Sequence, residues 1–123
     1  MKNKFLAQIQ TGAYPIGTLV TIDSTEVVEI LSRCGFDWLF LDMEHGNLSL
    51  PSILRMSQAI GDRCAKLVRV PENNPMWIQK VLDIGVDGII VPRVNTKEAA
   101  EQVVQYACYP PQGKRGAGIG RGR

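Results

Sequence analysis

The 123-residue sequence lacks the segments that identify membrane, secreted and metal-knuckle proteins. No apolar run approaches the roughly 20 residues that cross a bilayer, and the amino terminus has no apolar core of a signal peptide. The three cysteines, Cys34, Cys64 and Cys108, have neither metal-knuckle nor redox-pair spacing. We interpret them as small buried side chains in a reducing compartment, and we predict a cytoplasmic protein with no membrane partner.

Acidic residues are missing only from the end of the chain. Residues 1–108 carry 10 Lys and Arg against 12 Asp and Glu, whereas residues 109–123 carry four basic residues and no acidic one. Four positive charges without interleaved aromatic side chains make a nucleic-acid partner unlikely on physical grounds. The hydrophobic fraction of 45% and the charged fraction of 21% are typical of one small globular domain with a real core.

Four apolar runs without polar alternation predict strands that are buried on both faces, as in a parallel sheet. They begin 21, 27 and 23 residues apart and cover Gly17–Ile22, Trp38–Met43, Ala65–Val70 and Gly88–Val94. Helical patterns separate them, so the sequence predicts a repeated strand–helix unit of the α/β class. The predicted helices cover residues 2–11, 24–34, 50–60, 75–84 and 96–108, and the second begins at Ser24 or Asp23.

Two local patterns mark turns. Gly35 and Gly85 each precede an aspartate and a strand, so each is predicted to end a helix in a left-handed conformation. From Tyr109 the sequence is rich in Gly and Pro, and residues 109–123 are predicted to form a loop after a domain that covers residues 1–108.

The most informative segment is residues 38–46, an apolar strand that ends in acids and a histidine. His45 is the only histidine of the chain, and its side chain is the one whose usual pKa lies near neutrality. Asp42 and Glu44 lie within three residues of it and can orient it. This pattern predicts a general acid or base at the carboxyl end of a buried strand.

Parallel α/β folds place their sites at the carboxyl ends of the strands. That rule also selects Arg69 and Arg93, so we expect both on one rim with His45. Arg69 could clamp a carboxylate or an enolate oxygen, or it could only form an ion pair with Asp42. Glu44 is interpreted as a supporting or capping group, and Arg93 could simply pair with nearby acids.

Four motifs occur in the order typical of one enzyme family. Residues 35–45 resemble the pattern G-F-D-W-x-x-x-D-x-E-H of the HpcH/HpaI aldolase/citrate lyase family. The other three are residues 68–71 (V-R-V-P), residues 82–85 with 91–94, and residues 109–116 (Y-P-P-Q-G-K-R-G). Together they cover nearly the whole chain, so the resemblance is specific.

The resemblance implies a TIM (β/α)₈ barrel and a metal-dependent aldolase that cleaves 4-hydroxy-2-oxo acids to pyruvate, or a related keto acid, and an aldehyde. His45 would then be the acid/base, and Asp42 would hold or polarise it. Arg69 would bind the keto acid and neutralise its enolate oxygen. Asp83 would support the histidine, possibly across a subunit contact.

The chain departs from the family in length. Four predicted strands correspond to the amino-terminal half of the barrel, since members are about twice as long. The Mg²⁺, Mn²⁺ or Co²⁺ ligands of the family, a Glu and an Asp on later strands, have no counterpart in these 123 residues. We therefore expect the isolated chain to be inactive and to associate with itself, because its outer strands would be unpaired. The alternative is a non-catalytic half-barrel that acts as an assembly partner.

Overall fold

The computed structural model describes residues 4–118 and shows one helix followed by four strand–helix units. Helix α1 (Lys4–Gln10) precedes β1 (Gly17–Val20), α2 (Thr25–Arg33), β2 (Trp38–Asp42), α3 (Leu50–Ile60), β3 (Ala65–Arg69), α4 (Pro75–Asp83), β4 (Gly88–Ile90) and α5 (Lys97–Ala107). Residues 2 and 3 of the predicted first helix and residues 119–123 of the predicted loop lie outside the described residues. Between residues 4 and 118, no helix is long and apolar enough to cross a membrane.

The strands form one parallel sheet in the order β1-β2-β3-β4, which confirms the predicted strand–helix repeat. Each strand is shorter at its carboxyl end than predicted: β2 stops at Asp42 and β3 at Arg69. The largest difference is in β4, which ends at Ile90 rather than at Val94. There Pro92 has no N–H for the ladder, and Arg93 has a φ of 56°, which a strand does not have.

The helix ends follow the capping residues of the sequence. Ser24, rather than Asp23, is the N-cap of α2, and its hydroxyl accepts a hydrogen bond from the Val27 N–H. Asp23 instead accepts a bond of 2.6 Å from the Ser52 hydroxyl. Gly35 and Gly85 have φ values of 90° and 88°, which confirms the predicted left-handed turns.

The two faces of the sheet have different surroundings. Val20, Leu41 and Val68 lie in register on one face and are buried in the core against α2, α3 and α4. The opposite face carries Leu19, Phe40 and Leu67, since neighbouring residues of a strand point to opposite sides. Leu19 is half exposed, and we call these three side chains the open face. In the TIM barrel that the sequence predicts, this face is the one that turns toward the barrel interior.

Candidate active site at the carboxyl rim of the sheet

The carboxyl ends of β2 and β3 bring an acid and a base face to face. Asp42 and Arg69 are register partners at the ends of these strands. The Arg69 guanidinium donates from Nε to Oδ1 of Asp42 at 2.9 Å and from Nη2 to Oδ2 at 2.7 Å. The structure therefore contains the Asp42–Arg69 ion pair that the sequence left as one of two possibilities for Arg69.

The ion pair is deeply placed on the acid side. The Asp42 side chain is 1% exposed and that of Arg69 is 25% exposed. The hydrogen bonds from Arg69 hold the pKa of Asp42 below its usual value, although burial acts in the opposite direction. The same bonds raise the pKa of Arg69 above its usual value. Asp42 is thus a fixed negative charge, so it is not a proton carrier.

Asp42 also shapes the turn that carries the histidine. Its Oδ1 accepts the main-chain N–H of Glu44 at 3.0 Å and that of His45 at 3.3 Å. Asp42 therefore holds His45 through the backbone of the turn rather than through the imidazole ring. This contact fixes where the histidine begins, while the ring itself lies 73% exposed at the rim.

Glu44 connects the other three groups of the rim. One carboxylate oxygen, Oε2, lies 3.2 Å from Nε of Arg69 and 3.7 Å from Nε2 of His45. The other, Oε1, lies 3.7 Å from Nη2 of Arg93. His45, Arg69 and Arg93 thus lie on one rim, as predicted, and all three adjoin the carboxylate that the sequence assigned a supporting role.

Asp83 lies elsewhere in this chain. It ends α4, and its carboxylate accepts a bond of 2.6 Å from Nη2 of Arg115. The structure pairs Asp83 with Arg115 and not with His45 of the same chain, so its role across a subunit contact stays a prediction. Arg115 is buried, and its guanidinium lies 4.6 Å from the ring centre of Tyr109. Sequence reasoning gave Arg115 no role, although its motif had been recognised.

A second cavity, of about 410 Å³, lies at the amino ends of the strands. Its cations already have partners within the fold. Arg63 donates to the Ser32 hydroxyl, and Lys66 donates to the Gly61 carbonyl and lies 3.7 Å from Asp87. The exposed imidazole and guanidinium of the opposite rim therefore make that rim the better candidate site.

The described residues alone do not fit a divalent metal. Between residues 4 and 118, no three His, Cys, Asp or Glu side chains come together as ligands. The two rim carboxylates, Asp42 and Glu44, are both engaged with arginines, whose positive charge opposes a cation. We therefore assign no chemical step of this chain to a metal.

Comparison with known proteins agrees with this architecture. The chain is 36% identical over 121 residues to a 4-hydroxy-2-oxovalerate aldolase of Novosphingobium aromaticivorans, and covers 46% of that protein. It is 39% identical over 118 residues to a 5-keto-4-deoxy-D-glucarate aldolase of Escherichia coli, again covering 46%. These matches include 97% and 95% of this chain, so the chain spans about half the length of these relatives.

A solved structure shows the same relationship. An HpcH/HpaI aldolase/citrate lyase family protein from Burkholderia cenocepacia superposes with a TM-score of 0.90 at 29% identity, over 98% of this chain and 50% of that one. The four strand–helix units therefore correspond to half of a TIM-barrel aldolase. The family model for HpcH/HpaI aldolase/citrate lyase matches residues 16–119. This chain belongs to the HpcH/HpaI aldolase/citrate lyase family.

Proposed function

We propose that this chain supplies the proton-transfer part of an aldolase site that cleaves a 4-hydroxy-2-oxo acid to pyruvate, or a related keto acid, and an aldehyde. The observation that carries the proposal is the exposed imidazole of His45, which lies beside Glu44 on the same rim as Arg69. The names of the two relatives support the substrate class, because both act on oxo acids.

In this proposal His45 is the acid/base. Acting through a neutral imidazole nitrogen, it accepts the proton of the C4 hydroxyl while the C3–C4 bond breaks. The electron pair of that bond passes into the keto acid half and forms an enolate, and the C4 carbon leaves as the aldehyde. A proton is later returned to C3, and the imidazole is regenerated.

Arg69 is proposed to stabilise the enolate oxygen. Nε and Nη2 bind Asp42, which fixes the plane of the guanidinium and leaves Nη1 as a donor for the substrate. A positive group fixed before the reaction stabilises charge that develops during it, because no reorganisation is needed.

A second candidate function is assembly without catalysis. The half-exposed Leu19 on the open face favours contact with another chain, and we propose that the chain forms homo-oligomers. The three free thiols also fit the reducing cytoplasm that the sequence suggests.

Reconstitution separates the two functions. This chain would be mixed with the carboxyl-terminal half of the Escherichia coli relative, and pyruvate release from 5-keto-4-deoxy-D-glucarate would be followed with a coupled dehydrogenase. We expect activity in the mixture, none from this chain alone, and none when His45→Ala replaces the wild type. Arg33→Gln is the matched control, because Arg33 is an exposed arginine on α2 that contacts only Glu29.

A mixture that co-sediments as one complex but releases no pyruvate would contradict the catalytic proposal and favour the assembly function. Activity that survives His45→Ala would contradict the role of the histidine.

A further inference from the structure

Arg93 has a backbone conformation that arginine rarely adopts. Among residues 4–118, it is the one non-glycine residue with a positive φ, 56°. A residue with a β-carbon is disfavoured there, and such conformations occur mainly where a binding site requires a side chain to point in one direction. Arg93 follows Pro92 at the carboxyl end of β4, which is the rim that carries His45.

The structure holds the Arg93 guanidinium by one edge. Nη2 donates to the main-chain carbonyl of Pro71 at 3.2 Å. Its 3.7 Å distance to Oε1 of Glu44 is an ion-pair contact and is longer than a hydrogen bond. The side chain is 72% exposed, so Nε and Nη1 face solvent beside the reactive rim.

The two rim arginines therefore differ in what they offer a ligand. Arg69 uses Nε and Nη2 on Asp42 and is 25% exposed. Arg93 keeps most of its donors for a ligand. A guanidinium presents its donors in a planar fork that matches a carboxylate, and this match is the reason arginine recognises acids more specifically than lysine does.

Glu44 decides where such an acid can bind. Its two oxygens separate the His45 imidazole from the Arg93 guanidinium, so a single small molecule can reach both groups. The negative charge of Glu44 repels an anion placed between them. A carboxylate must therefore approach Arg93 from its outer, solvent-facing edge, away from the groups assigned to the keto acid end.

We propose that Arg93 is a specificity-determining residue that binds a second, distal carboxylate, so that the preferred substrate is a 2-oxo diacid. This inference rests on the proposed function and adds the substrate class to it. The names of the two relatives include one of each kind, because an oxovalerate has one carboxylate and a glucarate has two. Arg93 places this chain with the diacids.

The test compares two acids that differ only in the distal carboxylate, namely 2-oxoglutarate and 2-oxopentanoate. Binding to the full 123-residue chain would be followed by NMR of labelled histidine, which gives one set of signals because His45 is the only histidine. We expect the wild type to bind 2-oxoglutarate at least about tenfold more tightly than 2-oxopentanoate, since a charge-assisted bidentate pair has this strength. Higher salt should reduce the difference.

Two variants remove the guanidinium. Arg93→Gln keeps a polar side chain, and Arg93→Gly is the safer variant for folding because glycine tolerates a φ of 56°. Both are expected to abolish the preference for 2-oxoglutarate and to leave the affinity for 2-oxopentanoate unchanged. Arg33→Gln should change neither affinity.

Three results would overturn the proposal: no preference in the wild-type chain, a preference that persists in both Arg93 variants, or an equal loss for both acids, which would place Arg93 at the shared oxo acid end. The readout needs no turnover. Discrimination without pyruvate release in the reconstituted complex would therefore refute the proposed function alone, and turnover without discrimination would refute this inference alone.

Discussion

The strongest single stabilising contact of the rim should be the pair between Asp42 and Arg69. The carboxylate is buried, accepts two bonds from the guanidinium and two from main-chain N–H groups, and has nothing polar to replace them. In Asp42→Asn, Oδ1 can still accept the two main-chain bonds. The new amide Nδ2 would face Nη2 of Arg69, however, so two donors would oppose each other and the charge of Arg69 would lose its partner.

The size of the effect follows from burial. Removing one member of a fully buried ion pair costs about 3–5 kcal/mol. The 25% exposure of the Arg69 side chain lets water compensate part of that loss, so we expect Asp42→Asn to lower the free energy of unfolding by about 2–3 kcal/mol. In a double-mutant cycle with Arg69→Met, the coupling energy between the two side chains should be of the same order.

The chain offers a matched control for this cycle. Glu29 and Arg33 also form an arginine–carboxylate pair, at 3.0 Å, but on the exposed surface of α2. Their coupling energy should be only about 0.3–0.5 kcal/mol. Urea unfolding followed by tryptophan fluorescence would measure both cycles. All variants must be compared at one protein concentration, because self-association adds to the apparent stability.

A coupling energy for Asp42 and Arg69 that is no larger than that of the surface pair would refute the reasoning. It would mean that the guanidinium and the carboxylate contribute to stability independently, and that the geometry of the pair is not what holds the turn of His45.

Three further predictions concern acid stability, the loop and association. Because the pKa of Asp42 is lowered in the folded chain, its ion pair stabilises at neutral pH and is lost as the pH falls through that lowered pKa; wild-type stability should therefore decline below about pH 4 more steeply than that of Asp42→Asn, as urea midpoints across pH would show. Gly113→Ala should cost about 1–3 kcal/mol in thermal or urea unfolding, because its β-carbon would collide with the carbonyl oxygens of residues 105 and 108, whereas Gly116→Ala has nothing within 4 Å and should be neutral; equal stabilities would contradict this. Sedimentation at micromolar concentration should show a dimer or a larger assembly that Leu19→Lys weakens, and a cooperatively unfolding wild-type monomer would speak against it.

The sequence predicts the scaffold well because its signals are local. Apolar runs without alternation identify all four strands, and Ser24 and Thr96 identify helix starts through their own hydroxyls. The placement of the rim follows from the rule that sites gather at the carboxyl ends of parallel strands. These features need no knowledge of which residues meet across the fold.

The missed features depend on contacts between distant segments. The partner of Asp42 is decided by the register of β2 with β3, and a sequence does not show whether its carboxylate meets Arg69 or the His45 ring. Arg115 becomes buried only because the chain after α5 folds back onto α4, 32 residues earlier. The positive φ of Arg93 is equally invisible, because arginine carries no conformational signature of the kind that glycine has.

The two outer strands of the sheet have a consequence for how copies of the chain can polymerise. β1 and β4 run in the same direction, so the β4 edge of one copy can pair in parallel with the β1 edge of the next. This is a head-to-tail contact, which forms a closed ring only if each copy contributes the right share of a full turn. Two copies that each span half a circle would close into eight strands with both His45 residues at one mouth. Any smaller curvature would leave an edge open and produce a growing ribbon, so the curvature of four strands decides between a finite particle and a fibre.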